Sequence, residues 1–375
     1  MKGPMRILMP TIYFPPRIGG IENHVYYLAR ELVRRGHSVD IVTTRTEKTS
    51  PASEIMDGVR VERIHSFGKH PVGWVLSSLL AVPRVVGMAG RCDVIHCHTF
   101  AFALSGSVAN LLKRTPLVVT VHESHFLRFA KRKAMRPLLR LPLARAGILL
   151  STSKEIDAVT QDLLPSARTL PIVNGIDTEL FKPVAGSLDR SENEFVIVCP
   201  RRLVEKNGVE FLVRAVPLIA ERLNVKVYLA GDGPLRDHLT GLARDLGVAG
   251  RIVFMGSVEN RRMPSVFGSA DLVVVPSLIE ATSIAALEAM ACEKVVAASR
   301  VGGLPEIIDE HVGVLFESGS PEAIAFAVAA FAARPDKAAL GRAARRRVEA
   351  NWSIAQMADV HERVYREELE RHGDA

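Results

Sequence analysis

The sequence predicts an α/β protein with two doubly wound, Rossmann-like domains, and three observations lead to that prediction. Short apolar runs rich in β-branched residues alternate with longer segments of helical period along most of the chain. The alternation stops in a stretch rich in Pro, Gly and Asp over 171–190 and then starts again. A length of 375 residues is enough for two domains that each bury their own core.

The first series of strands and helices predicts an N-terminal domain, residues 1–180. It begins with a strand in RILMPT and a helix over 20–35, and its later strands are SVDIVTT, CDVIHCH, LVVTVH and GILLSTS. These runs are almost continuously apolar, as in parallel strands that helices cover on both faces. We therefore expect a parallel sheet buried on both sides.

The second series predicts a C-terminal domain, residues 181–350, with the boundary near Phe181. Residues 351–375 follow it as one amphipathic helix. Ligands of doubly wound sheets bind beyond the carboxyl ends of the strands, so we expect two sheets that face each other across a cleft. The strands of the second domain are FVIVCP, VKVYLAG, RIVFMG, DLVVVPS and KVVAAS, and its helices span 208–222, 234–246 and 283–291.

Composition excludes several other classes of protein. The chain is 48% hydrophobic and 24% charged, the balance of a soluble globular protein rather than of a disordered, collagenous or coiled-coil one. Its 4 cysteines lack a CxxC pair, which indicates core residues in a reducing compartment. The N-terminus lacks the pattern of a secretory signal, so we expect a cytoplasmic protein. Residues 71–90 are apolar, but Pro83 and Arg84 interrupt them and favour a buried helix over a membrane span.

Positive charge is concentrated in the N-terminal half. Residues 1–180 contain 24 Lys and Arg against 14 Asp and Glu, a net charge of +10, whereas the remainder sums to −3. Helical spacing predicts one basic face over 128–140, beside Phe126, Leu127, Phe129 and Leu138. Such a face suits anionic lipid or another acidic ligand, or is simply solvated, and no nucleic-acid-binding pattern accompanies it. Its basic residues are Arg128, Lys131, Arg132, Lys133, Arg136 and Arg140.

Glycines and histidines follow the strands of the N-terminal domain. Gly19 and Gly20 precede the first helix, where backbone amides can approach a phosphate, although a plain turn has the same pattern. His96 and His98 end one strand and His122 ends the next, so their imidazoles can exchange hydrogen bonds with a ligand there. The spacing of His96 and His98 puts both rings on one face, but the sequence shows no third metal ligand, and we expect no metal.

A basic loop follows the first strand of the C-terminal domain. Arg201, Arg202 and Lys206 lie close together directly after FVIVC. Cations that converge in one strand-to-helix loop suit an anionic diphosphate. A solvated basic loop is the other interpretation of the same residues.

Two glutamates mark the helix at 283–291. Glu280 precedes it and Glu288 lies inside it, with Thr282 or Ser283 as the N-cap. Backbone amides at such a helix start can bind a phosphate or a sugar hydroxyl. Paired carboxylates also occur in glycosidases, but the neighbouring cations should keep both ionised, whereas hydrolysis needs one raised pKa.

Together these segments resemble the family 4 retaining glycosyltransferases, whose GT-B fold has two Rossmann-like domains facing each other across a cleft. The resemblance covers nearly the whole chain, and the spacing of Glu280 and Glu288 matches the family's E-x7-E element. The motifs that carry it are GGIENHVYYLARELVRRGHSVDIVT, CDVIHCHTF, VVTVHE, VNGIDTELFKP, PRRLVEKNGVEFLVRA, LAGDGPLRDHL, ADLVVVPSLIEATSIAALEAMAC and VGGLPEIID.

The resemblance implies roles for the residues that match these motifs. His122 would hydrogen-bond the donor sugar, and Arg202 and Lys206 would neutralise the departing diphosphate. Arg201 is the alternative to Arg202, because the basic loop is one residue shorter than the family's. Glu280 would hold sugar hydroxyls. The other donor-binding residues would be Gly19, Gly20, Gly256, Val258, Thr282, Ser283, Ile284 and Glu288.

The activity implied by the resemblance is metal-independent, cofactor-free and retaining transfer from a UDP- or GDP-sugar to an acceptor hydroxyl. We expect a lipid-linked or cell-envelope glycan acceptor, with His96, His98, Lys131 and Arg132 on the acceptor side, and a place on the inner face of the plasma membrane. The C-terminal helix would cross back onto the N-terminal domain. The alternatives are a nucleotide-sugar 2-epimerase with the GT-B fold and a non-catalytic module that binds nucleotide sugars or lipids.

Overall fold

The structure, a computed structural model, divides the chain into two compact units. It describes residues 3–17, 19–47, 49–68, 70–122, 124–172, 175–280 and 283–373. Unit 1 comprises Met1–Gly175 and Ile354–Ala375, and unit 2 comprises Ile176–Ser353. The chain joins unit 2 five residues before the boundary expected at 180/181, because Ile176 forms a β-bridge with Ser353.

Unit 1 contains, in the part of the chain that the structure describes, an eight-stranded sheet. Its strands are β1 (Arg6–Pro10), β2 (Ser38–Arg45), β3 (Ser53–Met56), β4 (Val59–His65), β5 (Val94–His98), β6 (Leu117–Val121), β7 (Ile148–Ser151) and β8 (Thr169–Pro171). The strand order is β3-β4-β2-β1-β5-β6-β7-β8. The ladders are parallel except between β3 and β4. Every residue of β5 and β6 is buried, as predicted for strands covered on both faces.

Helices connect the parallel strands of this sheet. They are α1 (Gly20–Arg34), α2 (Pro71–Ala89), α3 (Ala103–Lys113), α4 (Ser124–Ala130), α5 (Arg136–Leu143) and α6 (Lys154–Leu163). Parallel strands need a crossover connection, usually a helix. The observed alternation of strands and helices is the one that the apolar runs of the sequence predict.

Unit 2 contains a six-stranded, all-parallel sheet within the described residues, with the order β11-β10-β9-β12-β13-β14. These strands are β9 (Phe195–Cys199), β10 (Val225–Ala230), β11 (Ile252–Gly256), β12 (Leu272–Val275), β13 (Val296–Ser299) and β14 (Gly313–Phe316). The helices are α7 (Val209–Ala220), α8 (Arg236–Asp245), α9 (Met263–Gly268), α10 (Ile284–Ala291), α11 (Leu304–Ile307), α12 (Pro321–Ala332) and α13 (Lys337–Asn351).

The last helix, α14 (Ile354–Gly373), belongs to unit 1 although it follows unit 2 in the chain. Tyr365 and Met357 are buried in the same core cluster as strand β1 and helix α1. Arg35, directly after α1, donates hydrogen bonds to Asp359 at 2.6 Å and to Glu362 at 3.0 Å. Apolar burial and ion pairs therefore both attach the C-terminal segment to unit 1.

Helix α2 corrects the expectation of a buried helix. It runs through Pro83 without ending, because packing on its buried side offsets the cost of about 3 kcal/mol of an interior proline. It is also buried on one side only, and its other side exposes Val72, Val75, Leu76, Leu79 and Leu80. Among the described helices α2 alone is long and apolar enough to cross a membrane, by length and composition only.

The basic run over 128–140 is not one helix. Helix α4 ends at Ala130, a short 3-10 helix spans Lys133–Met135, and α5 starts at Arg136. Pro137 near the start of α5 favours this break, because proline lacks an N–H and fits the first helical turn. The side chains of Lys131 and Arg132 are exposed.

The apolar neighbours of this basic run divide between core and surface. Phe126, Leu127 and Phe129 are buried, whereas Leu138 is exposed. Three of the four cysteines, Cys97, Cys199 and Cys292, are buried, and Cys92 is half-buried.

Candidate active site

Both sheets place predicted site residues where the strand order reverses. In unit 1, β1 lies between β2 and β5, and in unit 2, β9 lies between β10 and β12. Ligands of doubly wound sheets bind at such a switch point, beyond the carboxyl ends of the strands. His98 ends β5, Arg201 follows β9, and Glu280 follows β12. Each sheet therefore presents its candidate residues at the position that its topology favours.

In unit 2, Arg201 and Glu280 form an ion pair. Their side chains are only 11% and 14% exposed, and Nη2 of Arg201 donates to a carboxylate oxygen of Glu280. The same nitrogen donates to Ser277 Oγ at 2.7 Å and to Asn207 Oδ1 at 2.9 Å. Arg201 thus joins the loop after β9 to the loop after β12, and its charge is compensated within the protein.

Arg202 and Lys206 differ from Arg201 in both exposure and pairing. Their side chains are exposed, and within the described residues neither joins an ion pair. The Lys206 carbonyl accepts a hydrogen bond from the Leu278 N–H at 2.8 Å, which fixes the backbone of the basic loop. These observations favour Arg202 over Arg201 as the partner of Lys206 in binding an anion.

Glycines from three loops let backbone segments approach closely around the Arg201–Glu280 pair. Gly208 has φ +62°, and a Cβ there would lie 2.0 Å from the Pro276 carbonyl oxygen. A Cβ on Gly231 would lie 2.1 Å from the Arg201 carbonyl oxygen, and one on Gly302 would lie 1.6 Å from that of Glu280. A side chain at any of these positions would displace the backbone that carries the pair.

Helix α10 begins directly after this loop. Ser283 is its N-cap, with Oγ accepting from the Ala286 N–H at 3.3 Å. Thr282, the other predicted N-cap, lies outside the described residues. Ile284 is the first helical residue, and its N–H is one of the amides at the positive end of the helix that have no partner within it.

Glu288 corrects the expectation that both glutamates are ionised. Glu288 lies on α10 with its side chain buried, and this burial raises the pKa of the carboxyl to about 8. Of the neighbouring cations that were expected to keep both glutamates ionised, Arg201 pairs with Glu280. At neutral pH Glu288 is therefore largely protonated and can donate a hydrogen bond.

The predicted base-contact residues adjoin the basic loop through the backbone. Gly256 ends β11 with φ +72° and forms a β-bridge with Gly231. Gly231 in turn lies against the carbonyl oxygen of Arg201. Val258 follows two residues later and is half-buried. Both stay predictions as donor contacts.

In unit 1, histidines from four segments pack together. His96 and His98 lie with ring centroids 3.9 Å apart, which confirms that they share one face of β5. The His24 ring, on α1, lies 4.6 Å from that of His122 and 5.5 Å from that of His98. His361, on α14, lies 5.4 Å from His96. No sequence pattern predicted His24 or His361 as a site residue, although His24 lies in the GGIENH motif at the start of α1.

His96 is held entirely by the protein. Its side chain is buried, Nδ1 shares a hydrogen bond with the Tyr365 hydroxyl, and Nε2 shares one with Thr120 Oγ1, each at 2.7 Å. Tyr365 comes from α14, so the C-terminal helix orients this imidazole. His96 has no nitrogen left for the acceptor contact expected from the sequence.

His98 and His122 face each other, with Nδ1 of His98 and Nε2 of His122 3.2 Å apart. Burial, followed by repulsion from neighbouring imidazoles, holds the pKa of His98 well below its usual range. Burial likewise lowers the pKa of His122 to about 3. Both rings are therefore neutral at physiological pH, and His122 can act as a neutral hydrogen-bonding group.

Gly19 and Gly20 open helix α1, but a protein carboxylate already lies beside them. A Cβ on Gly19 would lie 2.4 Å from Oε2 of Glu22, a buried first-turn residue. Glu22 pairs with Arg17 at 2.9 Å, and the Arg17 guanidinium lies 3.6 Å from the centre of the Tyr13 ring. Glu22 thereby stabilises the positive end of α1. The diphosphate contact of Gly19 and Gly20 stays a prediction.

Family models match both parts of the chain. Residues 18–180 match the model described as Glycosyltransferase Family 4, and residues 184–347 match the model described as Glycosyl transferases group 1. An uncharacterized glycosyltransferase of Methanocaldococcus jannaschii is 33% identical over 345 residues, which cover 86% of this chain and 88% of that protein.

Two further relatives have named activities. A phosphatidylinositol N-acetylglucosaminyltransferase subunit of Arabidopsis thaliana is 30% identical, over 84% of this chain and 71% of that protein. The GDP-mannose-dependent alpha-(1-6)-phosphatidylinositol monomannoside mannosyltransferase of Mycolicibacterium smegmatis is 28% identical, over 92% of this chain and 94% of that protein.

The fold matches a solved structure over nearly its whole length. Sucrose-phosphate synthase from Thermosynechococcus elongatus aligns with a TM-score of 0.81 and 24% identity, covering 97% of this chain and 98% of that one. The predicted GT-B fold is thus confirmed.

We expect Gly208→Ala to destabilise the protein far more than Gly247→Ala. Both glycines have a positive φ, but nothing lies within 4 Å of a Cβ on Gly247, whereas one on Gly208 meets a carbonyl. The Gly247 variant should lose about 1 kcal/mol, the cost of the left-handed backbone alone. The Gly208 variant should lose at least about 2 kcal/mol more in urea unfolding. Equal losses would contradict the close approach of the two loops.

The raised pKa of Glu288 predicts that stability falls as the pH rises through the range from 4.5 to about 8. In this range the unfolded chain releases the proton that the folded state keeps, which costs up to about 1.4 kcal/mol per pH unit. Glu288→Gln should remove this dependence and raise the melting temperature relative to wild type more at pH 8 than at pH 5. A difference between the two proteins that is independent of pH would show that Glu288 is not protonated in the folded state.

Proposed function

Because this chain belongs to the family 4 glycosyltransferases, we propose that it moves a sugar from a nucleoside diphosphate sugar to a hydroxyl of a lipid-linked acceptor. The transfer retains the anomeric configuration and needs no metal ion. One observation carries the donor half of the proposal: Arg202 and Lys206 are exposed and, within the described residues, without ion-pair partners. They lie in a loop that is fixed at the switch point of the unit 2 sheet.

The charge of the departing diphosphate decides which groups the site needs. Negative charge develops on the bridging phosphate oxygen as the glycosidic bond lengthens, and preorganised cations and amides stabilise it. Arg202, Lys206 and the first amides of α10 would supply that stabilisation. A divalent cation supplies the same neutralisation in other transferases, so this arrangement supports a reaction without one.

The chemical step balances within donor and acceptor. The bond between the anomeric carbon and the phosphate oxygen breaks, and its electron pair stays on the diphosphate. The acceptor hydroxyl bonds to the same face of the anomeric carbon, and its proton passes to the leaving phosphate oxygen. This arrangement retains the configuration and requires neither a nucleophile nor a base from the protein.

His122 would act as a neutral partner in that step. Its low pKa keeps the ring uncharged, so it can hydrogen-bond a sugar hydroxyl without placing a cation beside the oxocarbenium-like carbon. Glu280 would bind other sugar hydroxyls while its pairing with Arg201 keeps it oriented.

The donor is a UDP- or GDP-sugar, and the named GDP-mannose dependence of the M. smegmatis relative makes GDP-mannose the first to test.

The acceptor proposal rests on relatives and on the surface of unit 1. Two relatives act, by name, on phosphatidylinositol or a mannoside of it. Helix α2 presents an exposed apolar side, and α3, on which it packs, exposes Leu111 and Leu112. Helix α5, which packs on α3, exposes Leu138 and Leu141.

Lys131, Arg132 and Lys133 adjoin α5 and add positive charge that anionic headgroups attract. We therefore place the protein in the cytoplasm, bound peripherally to the inner face of the plasma membrane through unit 1. This surface gives the enzyme access to an acceptor whose headgroup stays at the bilayer.

The donor site is tested by nucleotide affinity in EDTA. Arg202→Ala and Lys206→Ala should each weaken binding of GDP or UDP by about tenfold or more. Each variant loses a hydrogen bond to a charged phosphate, and the free energy of such a bond corresponds to this factor. Lys182→Ala, a change at an exposed lysine of the same unit, is the matched control and should have no effect. Titration calorimetry measures all three. Unchanged affinity in both site variants would refute the assignment of the basic loop.

Product analysis then separates transfer from the alternatives. Release of nucleoside diphosphate that depends on a phosphatidylinositol acceptor, persists in EDTA and is lost in His122→Ala and Glu280→Ala supports the proposal. A modified sugar formed without an acceptor would identify an epimerase. Tight nucleotide binding without release across the donor and acceptor panel would identify a binding module.

Membrane binding is tested with vesicles of phosphatidylcholine, with and without anionic lipid. Replacing Lys131, Arg132 and Lys133 by Gln should weaken sedimentation with anionic vesicles by about 100-fold, at about 1 kcal/mol per residue. Replacing Leu76, Leu79 and Leu80 by Ser should weaken binding to both kinds of vesicle. Arg261→Gln with Arg262→Gln, exposed arginines of unit 2, should change neither. Identical sedimentation of all variants would rule out this surface.

A further inference from the structure

Three histidines in unit 1 are arranged as ligands of a metal ion. His24, His98 and His122 each offer one ring nitrogen, and the three nitrogens lie within 4.8 Å of one another. His24 lies in the first turns of α1, His98 ends β5 and His122 directly follows β6, so three separate elements supply the ligands. Only His98 of the HxH motif takes part, because both nitrogens of His96 are bound within the protein.

The spacing is close to that of a bound transition metal. Zinc holds imidazole nitrogens at about 2.0–2.1 Å in a tetrahedron, which sets neighbouring nitrogens about 3.3 Å apart. Nδ1 of His98 and Nε2 of His122 share a hydrogen bond at 3.2 Å, and an ion bound there would replace its proton. Bringing the third nitrogen from 4.8 Å to the same spacing requires a shift of at most about 1.5 Å.

We propose that His24, His98 and His122 bind a divalent transition-metal ion of the Zn²⁺ class, and that this ion inhibits the enzyme. Three imidazoles leave one position of the tetrahedron for water, as in other three-histidine zinc sites. Coordination would fix the His122 ring and place a divalent cation beside the oxocarbenium-like carbon, where the proposed reaction needs a neutral group. The inhibitory half of the proposal rests on the proposed function of His122, whereas the metal site itself does not.

Cobalt absorption tests the site without any enzymatic assay. Titrating the full-length protein with Co²⁺ should produce the visible band of a four-coordinate ion at one Co²⁺ per chain, and Zn²⁺ should abolish it. His24→Gln and His98→Gln should each weaken Co²⁺ binding at least tenfold. His311→Gln, a change at an exposed histidine of unit 2, should leave it unaltered. Circular dichroism verifies that each variant is folded, and the His24 variant suffices if His98→Gln does not fold.

Failure of the site and failure of the proposed function give different results. The absence of a saturable band, or a band of equal affinity in the histidine variants, overturns the metal site whatever the enzyme does. If the band behaves as expected but micromolar Zn²⁺ leaves the transfer rate unchanged, the inhibitory role is wrong. Inhibition by Zn²⁺ but not by Mg²⁺, weakened in His24→Gln, supports both halves.

Discussion

The candidate donor site of unit 2 depends on the ion pair of Arg201 and Glu280. It joins the loops after the two strands that flank the switch point, β9 and β12, and it is largely shielded from water. Removing one partner of such a pair leaves an uncompensated charge, which costs about 3–5 kcal/mol in buried settings. Arg201 is bound within the protein, whereas the next residue, Arg202, is exposed and has no ion-pair partner among the described residues. One arginine therefore holds the loop and its neighbour is available to a ligand.

Close backbone contacts make this ion pair possible. Gly208, Gly231 and Gly302 come from three different loops, and each lies against a carbonyl oxygen that a Cβ would overlap. The VGGLPE motif therefore contributes to the site through Gly302, its second residue, which lies directly against the backbone carbonyl of Glu280. In unit 1, helix α14 packs Tyr365 and His361 against His96, so the C-terminal helix orients a histidine of β5.

The sequence was sufficient for the parts of the fold that follow from local pattern. Continuous apolar strands, their alternation with helices, and the strand-end positions of His98, His122 and Arg201 are all visible without coordinates. Long-range contacts were not: nothing in the sequence shows that Tyr365 bonds His96, or that His24 completes a cluster with His122. Helix α2 was expected to be buried. Its exposed apolar side could not be inferred, because an almost uniformly apolar segment carries no helical period.

Glu280 and Glu288 show why spacing alone does not assign protonation. They are eight residues apart in one motif, and their positions in the sequence suggest the same neighbouring cations for both. In the structure only Glu280 reaches a guanidinium, whereas Glu288 lies inside α10 with its pKa raised to about 8 by burial. One carboxylate accepts hydrogen bonds and the other carboxyl can donate one, so the two residues differ in chemistry. A pair with one raised pKa is also what a glycosidase needs. Here, however, Glu288 is buried and Glu280 is paired with Arg201, so neither is free to attack or to protonate a glycosidic bond. The same burial that raises the pKa therefore disfavours hydrolysis.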